Sequence, residues 1–217
     1  MEIAKNVHML HLPFREMAIH PTMLFDGDTA VLVDTGFPGQ MEELRAAMEQ
    51  AGVALHQLAA VILTHQDIDH IGNLPELISQ GTRQLNVYAH ELERPYIEGD
   101  LPPIRDPQLA PLPKGKVTRT LADGEVLPYC GGIRVIHTPG HTEGHISLYL
   151  MQSKTLLAGD SLYSVNGTLM GVHAPTALDV DTARRSLKKY NAFDISSVIC
   201  YHGGISTENI QEQIRAL

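Results

Sequence analysis

Four side chains that can bind a metal ion fall within the six-residue stretch 65–70, directly after an apolar segment. They are His65, Asp67, Asp69 and His70, and the apolar segment is 60–63. If these groups are buried at the end of a strand, each needs a polar partner, and one bound cation satisfies several of them at once. The spacing therefore favours a metal site. The alternative is a solvated loop that is rich in His and Asp.

Three later apolar segments lead into a ligand-type residue with a glycine next to it. These residues are His141 after segment 133–136, Asp160 after segment 155–157, and His202 after segment 197–200. Strands that end in this way can aim several side chains at one point, which argues against the solvated-loop alternative. His145 follows His141 by four residues, and it is either a partner that orients a ligand or a simple turn residue.

The hydrophobic pattern predicts short buried strands with amphipathic helices between them. Apolar runs bounded by turn residues indicate the strands, and apolar residues at three- and four-residue spacing indicate the helices. The predicted strands are 30–33, 60–63, 133–136, 147–150, 155–157 and 197–200, and the predicted helices are 41–50, 74–80, 181–190 and 207–215. Both halves of the chain run from strand through a polar loop with ligand-type residues to a helix.

A chain of 217 residues with 43% apolar content can bury a sizeable core. We predict one domain over residues 1–217. The segment 100–116 holds five prolines and little periodicity, so it is predicted to be a stiff loop. Such a loop suits a pocket wall or lid, with a plain connection as the alternative.

The net charge of −9 argues against nucleic acid as a partner, because a polyanion needs clustered Lys and Arg. No stretch approaches the roughly 18 apolar residues of a membrane span, and the first residues lack the pattern of a signal peptide. These features predict a cytoplasmic protein with a small-molecule substrate and no membrane partner. These features do not decide the oligomeric state, and a homodimer is possible.

The ordered motifs resemble those of the metallo-β-lactamase superfamily. They are Asp-Thr-Gly at 34–36, a variant of HxHxDH at 65–70, Pro-Gly-His-Thr at 139–142, Gly-Asp at 159–160 and His-Gly at 202–203. The match runs from about residue 20 to 204. The resemblance implies an α/β (α+β) fold, namely a four-layer αββα sandwich of two mixed sheets covered by helices. It also implies a metal-dependent hydrolase.

The resemblance implies two divalent metal ions, with zinc favoured and manganese or iron as alternatives. Its ligand set is His65, Asp67 and His141 for the first ion, Asp69, His70 and His202 for the second, and Asp160 as the bridge between them. Position 67 departs from the family, which usually has His there. An Asp oxygen preserves the reach of the side chain but adds a negative charge, which favours a harder ion.

The family chemistry implies attack by a hydroxide that bridges the two ions, with Asp69 moving a proton to the leaving group. Tyr163 stands three residues after Asp160, which resembles the N-acyl homoserine lactone lactonases. By this resemblance, Tyr163 would donate a hydrogen bond to the oxyanion. The alternative is that Tyr163 is a packing residue.

The leading functional prediction is hydrolysis of an ester-like bond, with a lactone ahead of a β-lactam. A thioesterase of the glyoxalase II type is one alternative, but its added helical region with basic residues has no counterpart in the short helix 207–215. A di-iron oxidoreductase of the flavodiiron type is the other alternative. It rests on the carboxylate at Asp67, and its flavodoxin-like domain has no counterpart in this chain.

Overall fold

A computed structural model describes residues 1–81, 84–105 and 112–217 of the chain. Its strands are β1 Glu2–Ala4, β2 Val7–Met9, β3 Leu12–Phe14, β4 Met17–Ile19, β5 Thr22–Asp26, β6 Thr29–Val33, β7 Leu58–Ile62, β8 Asn86–His90, β9 Arg119–Leu121, β10 Val126–Leu127, β11 Ile133–His137, β12 Ile146–Leu150, β13 Thr155–Gly159, β14 Tyr163–Val165, β15 Thr168–Met170, β16 Ser197–Cys200 and β17 Gly204–Ser206.

The helices lie between and after these strands. They are α1 Met41–Gln50, α2 Ile68–Ile71, α3 Leu74–Gln80, α4 Arg94–Glu98, α5 Val180–Leu187 and α6 Ile210–Ala216, and short 3₁₀ helices span Leu55–Gln57 and Lys188–Ala192. Within the described ranges, no helix combines the length and apolar character needed to cross a membrane.

Two mixed sheets form the centre of the molecule. The first has the order β1-β2-β5-β6-β7-β8-β9, in which the strands from β6 to β9 are parallel. The second has the order β10-β11-β12-β13-β16-β17, in which only the β13–β16 pair is parallel. Hairpins β3–β4 and β14–β15 lie outside the two sheets. Parallel neighbours bring the carboxyl ends of their strands to one edge of a sheet.

Three buried clusters make this arrangement a four-layer sandwich. Val31 and Ile62 of the first sheet pack with Leu157 of the second between the sheets. The opposite face of the first sheet packs on α1 and α3, and the opposite face of the second packs on α5 and α6. Successive strand residues point to opposite faces of a sheet. Because both faces of these sheets are buried, the central strands carry apolar residues on both. The predicted αββα architecture is confirmed.

The predicted strands are present with ends within two residues, and α1 and α3 occupy the predicted residues. The predicted helix 181–190 changes to a 3₁₀ helix after Leu187. The sequence did not predict β1 to β4, because strands of three residues have no sustained apolar run, and it also missed the five-residue strand β5. Residues 106–111 of the proline-rich loop lie outside the described residues, whereas 100–105 and 112–116 are described.

Candidate metal centre

The candidate ligands come from the carboxyl ends of strands in both sheets. His65 and Asp67 follow β7, and Asp69 and His70 lie in α2 directly after them. In the second sheet, His141 follows β11, Asp160 follows β13 and His202 follows β16. The crevice beyond strand carboxyl ends is where open α/β sheets commonly bind ligands.

Among the described residues, three groups of three side chains could each hold one ion: His65, His70 and Asp160 form one, and we name the other two the first and second triads. The first triad is His65, Asp67 and His141, with Asp67 Oδ2 lying 3.3 Å from His65 Nε2 and 3.1 Å from His141 Nε2. The second triad is Asp69, His70 and His202, with Asp69 Oδ2 lying 3.6 Å from His70 Nε2 and 3.3 Å from His202 Nε2.

Asp160 lies between the two triads. Its Oδ1 is 3.3 Å from His70 Nε2, and its Oδ2 is 3.4 Å from both His141 Nε2 and His202 Nε2. One carboxylate therefore contacts imidazoles of both groups. The structure brings together all seven residues that the sequence predicted as metal ligands.

Several of these polar atoms are buried without a hydrogen bond. Among the described residues, His65 Nε2, His70 Nε2 and Asp160 Oδ1 have no hydrogen-bond partner. An unpaired buried polar atom is costly, and a bound cation removes that cost. Imidazole nitrogens and carboxylate oxygens are ligands for zinc, manganese and iron. The donor set therefore fits two divalent ions.

Asp34 and Thr64 orient the histidines of the centre. Asp34 Oδ2 lies 2.9 Å from His70 Nδ1, and both oxygens of Asp34 accept hydrogen bonds from Thr64. Thr64 Oγ1 also lies 3.1 Å from His65 Nδ1. Because Thr64 Oγ1 donates to Asp34, it accepts from His65, which assigns the proton of each imidazole to Nδ1. The Nε2 atoms are then left as ligands.

His145 is a supporting residue and not a simple turn residue. It is fully buried, and its Nε2 accepts a hydrogen bond of 3.0 Å from the backbone N–H of Asp160. Its Nδ1 lies 2.8 Å from Thr138 Oγ1. Burial holds the pKa of His145 well below its usual range, so the imidazole is neutral. His145 thus fixes the backbone of the shared carboxylate and leaves its oxygens free.

Two glycines explain the flanking pattern in the sequence. Gly159 has φ +55°, and a side chain there would meet His145 Nε2 at 2.6 Å. Gly140 has φ +134°, and a side chain there would meet the backbone of Ala183 at 2.3 Å. Both positions need a residue without Cβ, because the backbone approaches its neighbour closely.

The charges of the centre shift the pKa values of its groups strongly. Burial alone would raise the pKa of Asp67, but His65 and His141 outweigh it and hold the pKa well below its usual range. Burial opposes protonation of His202, but Asp160 and Asp69 raise its pKa to about 10. Without a cation, His202 is therefore protonated and forms ion pairs with Asp69 and Asp160.

Glu93 is a buried carboxylate that the sequence did not single out. Its Oε2 accepts from the backbone N–H of Gln66 at 2.8 Å, and its Oε1 accepts from Thr142 Oγ1 at 2.6 Å and from the Gly144 N–H at 2.9 Å. Burial raises its pKa to about 7 despite these bonds. Glu93 joins the loop that carries His65 to the loop after β11. No motif marks it, because the contacts are distant in sequence.

Arg105 is a second residue that the sequence did not single out. Its guanidinium contacts Asp67 Oδ2 through Nη1, and through Nη2 it donates to the carbonyl oxygens of His141, at 2.7 Å, and Thr176. Gln66 Nε2 donates to the other oxygen of Asp67 at 2.6 Å. Arg105 belongs to the proline-rich loop, whose composition gives no signal for this contact.

A pocket of about 290 Å³ opens onto the centre. Asp67, Asp69, His141, Asp160 and His202 line its polar side. The other side is largely apolar and consists of Phe37, Ile68, Ile71, Tyr96, Pro103, Leu112 and Pro113. The described part of the proline-rich loop thus contributes to the wall.

Tyr163 lies apart from this pocket in the described structure. It starts the hairpin strand β14, is half-buried, and packs edge-on against His173 with ring centroids 5.7 Å apart. Among the described residues that line the pocket, Tyr163 does not appear. Its role as an oxyanion donor stays a prediction.

Comparison with known proteins agrees with the fold. The model of the metallo-β-lactamase superfamily matches residues 17–202. The chain is 30% identical over 233 aligned residues to the probable metallo-hydrolase YflN of Bacillus subtilis, covering 93% of this chain and 85% of that protein. The chain belongs to the metallo-β-lactamase superfamily, and this is a family of metallo-hydrolases.

A hydroxyacylglutathione hydrolase of a Synechococcus strain is 29% identical over 160 residues, which cover 73% of this chain and 54% of that enzyme. A metallo-β-lactamase family protein from Thermus thermophilus superposes with a TM-score of 0.76 at 20% identity, covering 99% of this chain and 79% of that one. The protein TTHA1623, solved in a di-iron-bound form, gives a TM-score of 0.71 at 26% identity and covers 95% of this chain and 98% of that one.

Proposed function

We propose that this protein is a dinuclear metal-dependent hydrolase that cleaves an ester-like bond, with a lactone as the preferred substrate class. The observation that supports it best is the pair of triads that share Asp160, at distances of 3.3 and 3.4 Å from the imidazoles of both. Two ions held in this way, when bound, lower the pKa of a water molecule and polarise the carbonyl of the substrate.

Asp69 is the residue that we propose as the proton carrier. It lines the pocket, and its side chain is 14% exposed, so a substrate can reach it. Burial opposes ionisation of this carboxyl, but His70 and His202 lower its pKa, so it is ionised and can accept a proton. Asp69 would then pass the proton to the leaving group. His141 and His202 line the same pocket.

The character of the pocket supports a neutral substrate. Its wall away from the centre is mainly apolar, as an acyl or aryl group requires. Among the described lining residues, Arg105 is the one permanent cation, and it is paired with Asp67. The apolar wall favours a lactone or simple ester over a charged thioester.

A glyoxalase II-type thioesterase is the first alternative, and the similarity to a hydroxyacylglutathione hydrolase favours it. Glutathione carries carboxylates, for which the described lining residues offer Arg105 alone as a permanent cation. A di-iron oxidoreductase is the second alternative, favoured by the similarity to a protein solved with two irons.

The test is metal analysis of the purified protein by mass spectrometry beside a substrate screen. The screen compares a γ-lactone with an apolar acyl chain, a hydroxyacyl glutathione thioester and a chromogenic β-lactam, each with the wild type and Asp160→Ala. We expect two equivalents of zinc or manganese and lactone turnover that the variant loses. Faster turnover of the thioester would favour the first alternative, and iron without hydrolysis would favour the second.

A further inference from the structure

The first triad contains a competitor for its own cation. The atom that completes this triad is Asp67 Oδ2, which lies 3.3 Å from His65 Nε2 and 3.1 Å from His141 Nε2. The same oxygen is the one that the guanidinium of Arg105 contacts. A cation bound by the first triad would therefore compete with the permanent positive charge of Arg105 for the same oxygen of Asp67.

Two further hydrogen bonds hold Arg105 in this place. Its Nη2 donates to the carbonyl oxygens of His141, at 2.7 Å, and Thr176. The backbone of the same segment is held as well, because Ile104 N donates to Gln66 Oε1 at 3.3 Å while Gln66 Nε2 donates to Asp67 Oδ1. The segment around Arg105 is thus fixed to both oxygens of Asp67.

The second triad has no such competitor among the described residues. The ion pairs of Asp69 within the described ranges are with His70 and His202, and no Lys or Arg side chain there contacts Asp69 or Asp160. Imidazoles release their protons when a cation binds, whereas a guanidinium keeps its charge. Like charges in a partly buried site repel strongly. A cation that binds the first triad must therefore overcome repulsion from Arg105. A cation that binds the second triad meets only imidazoles among the described basic side chains, and these can lose their protons.

We propose that Arg105 gates the first metal position: it holds Asp67 Oδ2 when no cation is bound, must release that oxygen when one binds, and makes the first position the weaker of the two. The released segment belongs to the pocket wall, since Pro103 and Arg105 both line the pocket. Filling of the first position is thereby coupled to the loop that faces the substrate. This inference rests on the two-metal centre of the proposed function.

The test is a titration of the metal-free protein with Zn²⁺ against a chromophoric chelator, repeated with Co²⁺ to follow the ligand environment by visible absorption. For the wild type we expect two binding events whose dissociation constants differ at least tenfold. Asp67→Ala should remove the weaker event. Arg105→Gln, which keeps a hydrogen-bond donor and removes the charge, should tighten the weaker event at least tenfold and change the tighter event less than threefold.

Two controls separate charge from geometry. Arg105→Lys keeps the charge and should leave the weaker event within threefold of the wild type. Arg119→Gln removes an exposed arginine that pairs with Glu125 and should change neither event. A weaker event that Arg105→Gln leaves unchanged or weakens further would overturn the proposal.

Hydrogen exchange on the wild type gives a measurement that needs no variant. The amides of Leu101, Ile104 and Arg105 should exchange faster once the second equivalent of Zn²⁺ is bound, and unchanged exchange would overturn release of Arg105. The proposed function fails differently: it fails if the wild type binds no metal, or if Asp160→Ala keeps both equivalents. If the wild type binds two Zn²⁺ ions with equal affinity and Arg105→Gln does not alter either affinity, only the proposed role of Arg105 is wrong.

Discussion

The two triads reach similar geometry with different kinds of support. The second rests on the core, since Asp34 holds His70 Nδ1 at 2.9 Å and the ring of Tyr201 packs on His70 with centroids 3.9 Å apart. Tyr201 also donates a hydrogen bond of 2.5 Å to the Asp69 carbonyl oxygen. The first triad rests on a buried acid, Glu93, and on a loop arginine.

This difference teaches that the centre is not one uniformly rigid unit. The support of the second triad comes from residues that follow central strands and are buried with them. The support of the first triad depends on the ionisation of Glu93 and on a side chain that is 26% exposed, that of Arg105. Metal occupancy of the first triad should therefore respond more to pH and to the loop than occupancy of the second.

The largest effect is expected for Asp160→Ala, which removes what the two triads share. Both equivalents of metal should be lost, and kcat/KM for the lactone should fall on the order of 10³-fold or more. Metal content and steady-state kinetics measure this. The matched control is Asp194→Ala, an exposed aspartate paired with Lys154, which should keep both metals. A variant of Asp160 that retains one tightly bound ion would show that the triads are independent.

Glu93→Gln should remove a pH dependence from the stability of the metal-free protein. The pKa of Glu93 is raised from 4.5 to about 7 in the folded chain, so its contribution is fully present below pH 4.5 and is lost as the pH rises through 7. This loss amounts to about 3 kcal/mol of unfolding free energy. Urea unfolding at pH values between 4.5 and 8 should show a shallower dependence for the variant.

The control for that measurement is Glu49→Gln on the exposed side of α1, which should keep the slope of the wild type. An equal slope for Glu93→Gln and the wild type would mean that the carboxyl ionises normally in the folded state.

Asp34→Asn should weaken the second triad more than the first, because Asp34 contacts His70 directly and reaches His65 only through Thr64. An amide at this position donates to His70 Nδ1, which forces the imidazole proton onto the Nε2 that faces the centre. We expect a 10- to 100-fold loss of affinity in the tighter Zn²⁺ binding event, on the scale typical for such supporting residues. Asp123→Asn, at an exposed aspartate, serves as the control. If the weaker event changes instead, the assignment of the two events to the two triads is reversed.

The smallest effect is expected for Tyr163→Phe. Tyr163 packs against His173 outside the described pocket lining, so loss of its hydroxyl should change kcat less than about threefold if its hairpin does not move. Removal of a true oxyanion donor costs roughly 10² to 10³ in kcat. A loss of that size with unchanged KM would establish the role that the resemblance implies.

The convergence of the candidate ligands could be predicted from the sequence, because most of them follow a strand and carry their own chemistry. His65, His141, Asp160 and His202 each stand directly after an apolar run, and the parallel pairs β6–β7 and β13–β16 bring the ends of their strands together. The supporting residues were harder to predict. Glu93 acts through Gln66, 27 residues away, and Gly144, 51 residues away, and a local pattern holds no information on such pairs.

The loop shows the same limit. Its prolines predicted stiffness, but the contact of Arg105 with Asp67 arises only when the loop folds back over a distance of 38 residues. Asp67 itself was visible as a departure from the family pattern. The charged partner of that departure was not visible, because Arg in a proline-rich segment is ordinarily a surface residue.

The hydrogen bond from the backbone N–H of Asp160 to His145 Nε2 bears on which variants of this protein can still fold. The shared carboxylate of Asp160 is anchored by the main chain of the sandwich, while the arginine that contacts Asp67 is supplied by a peripheral segment. A mutational library confined to residues 100–105 and 112–116 would therefore sample ion preference and substrate range together, and most of its members should still fold.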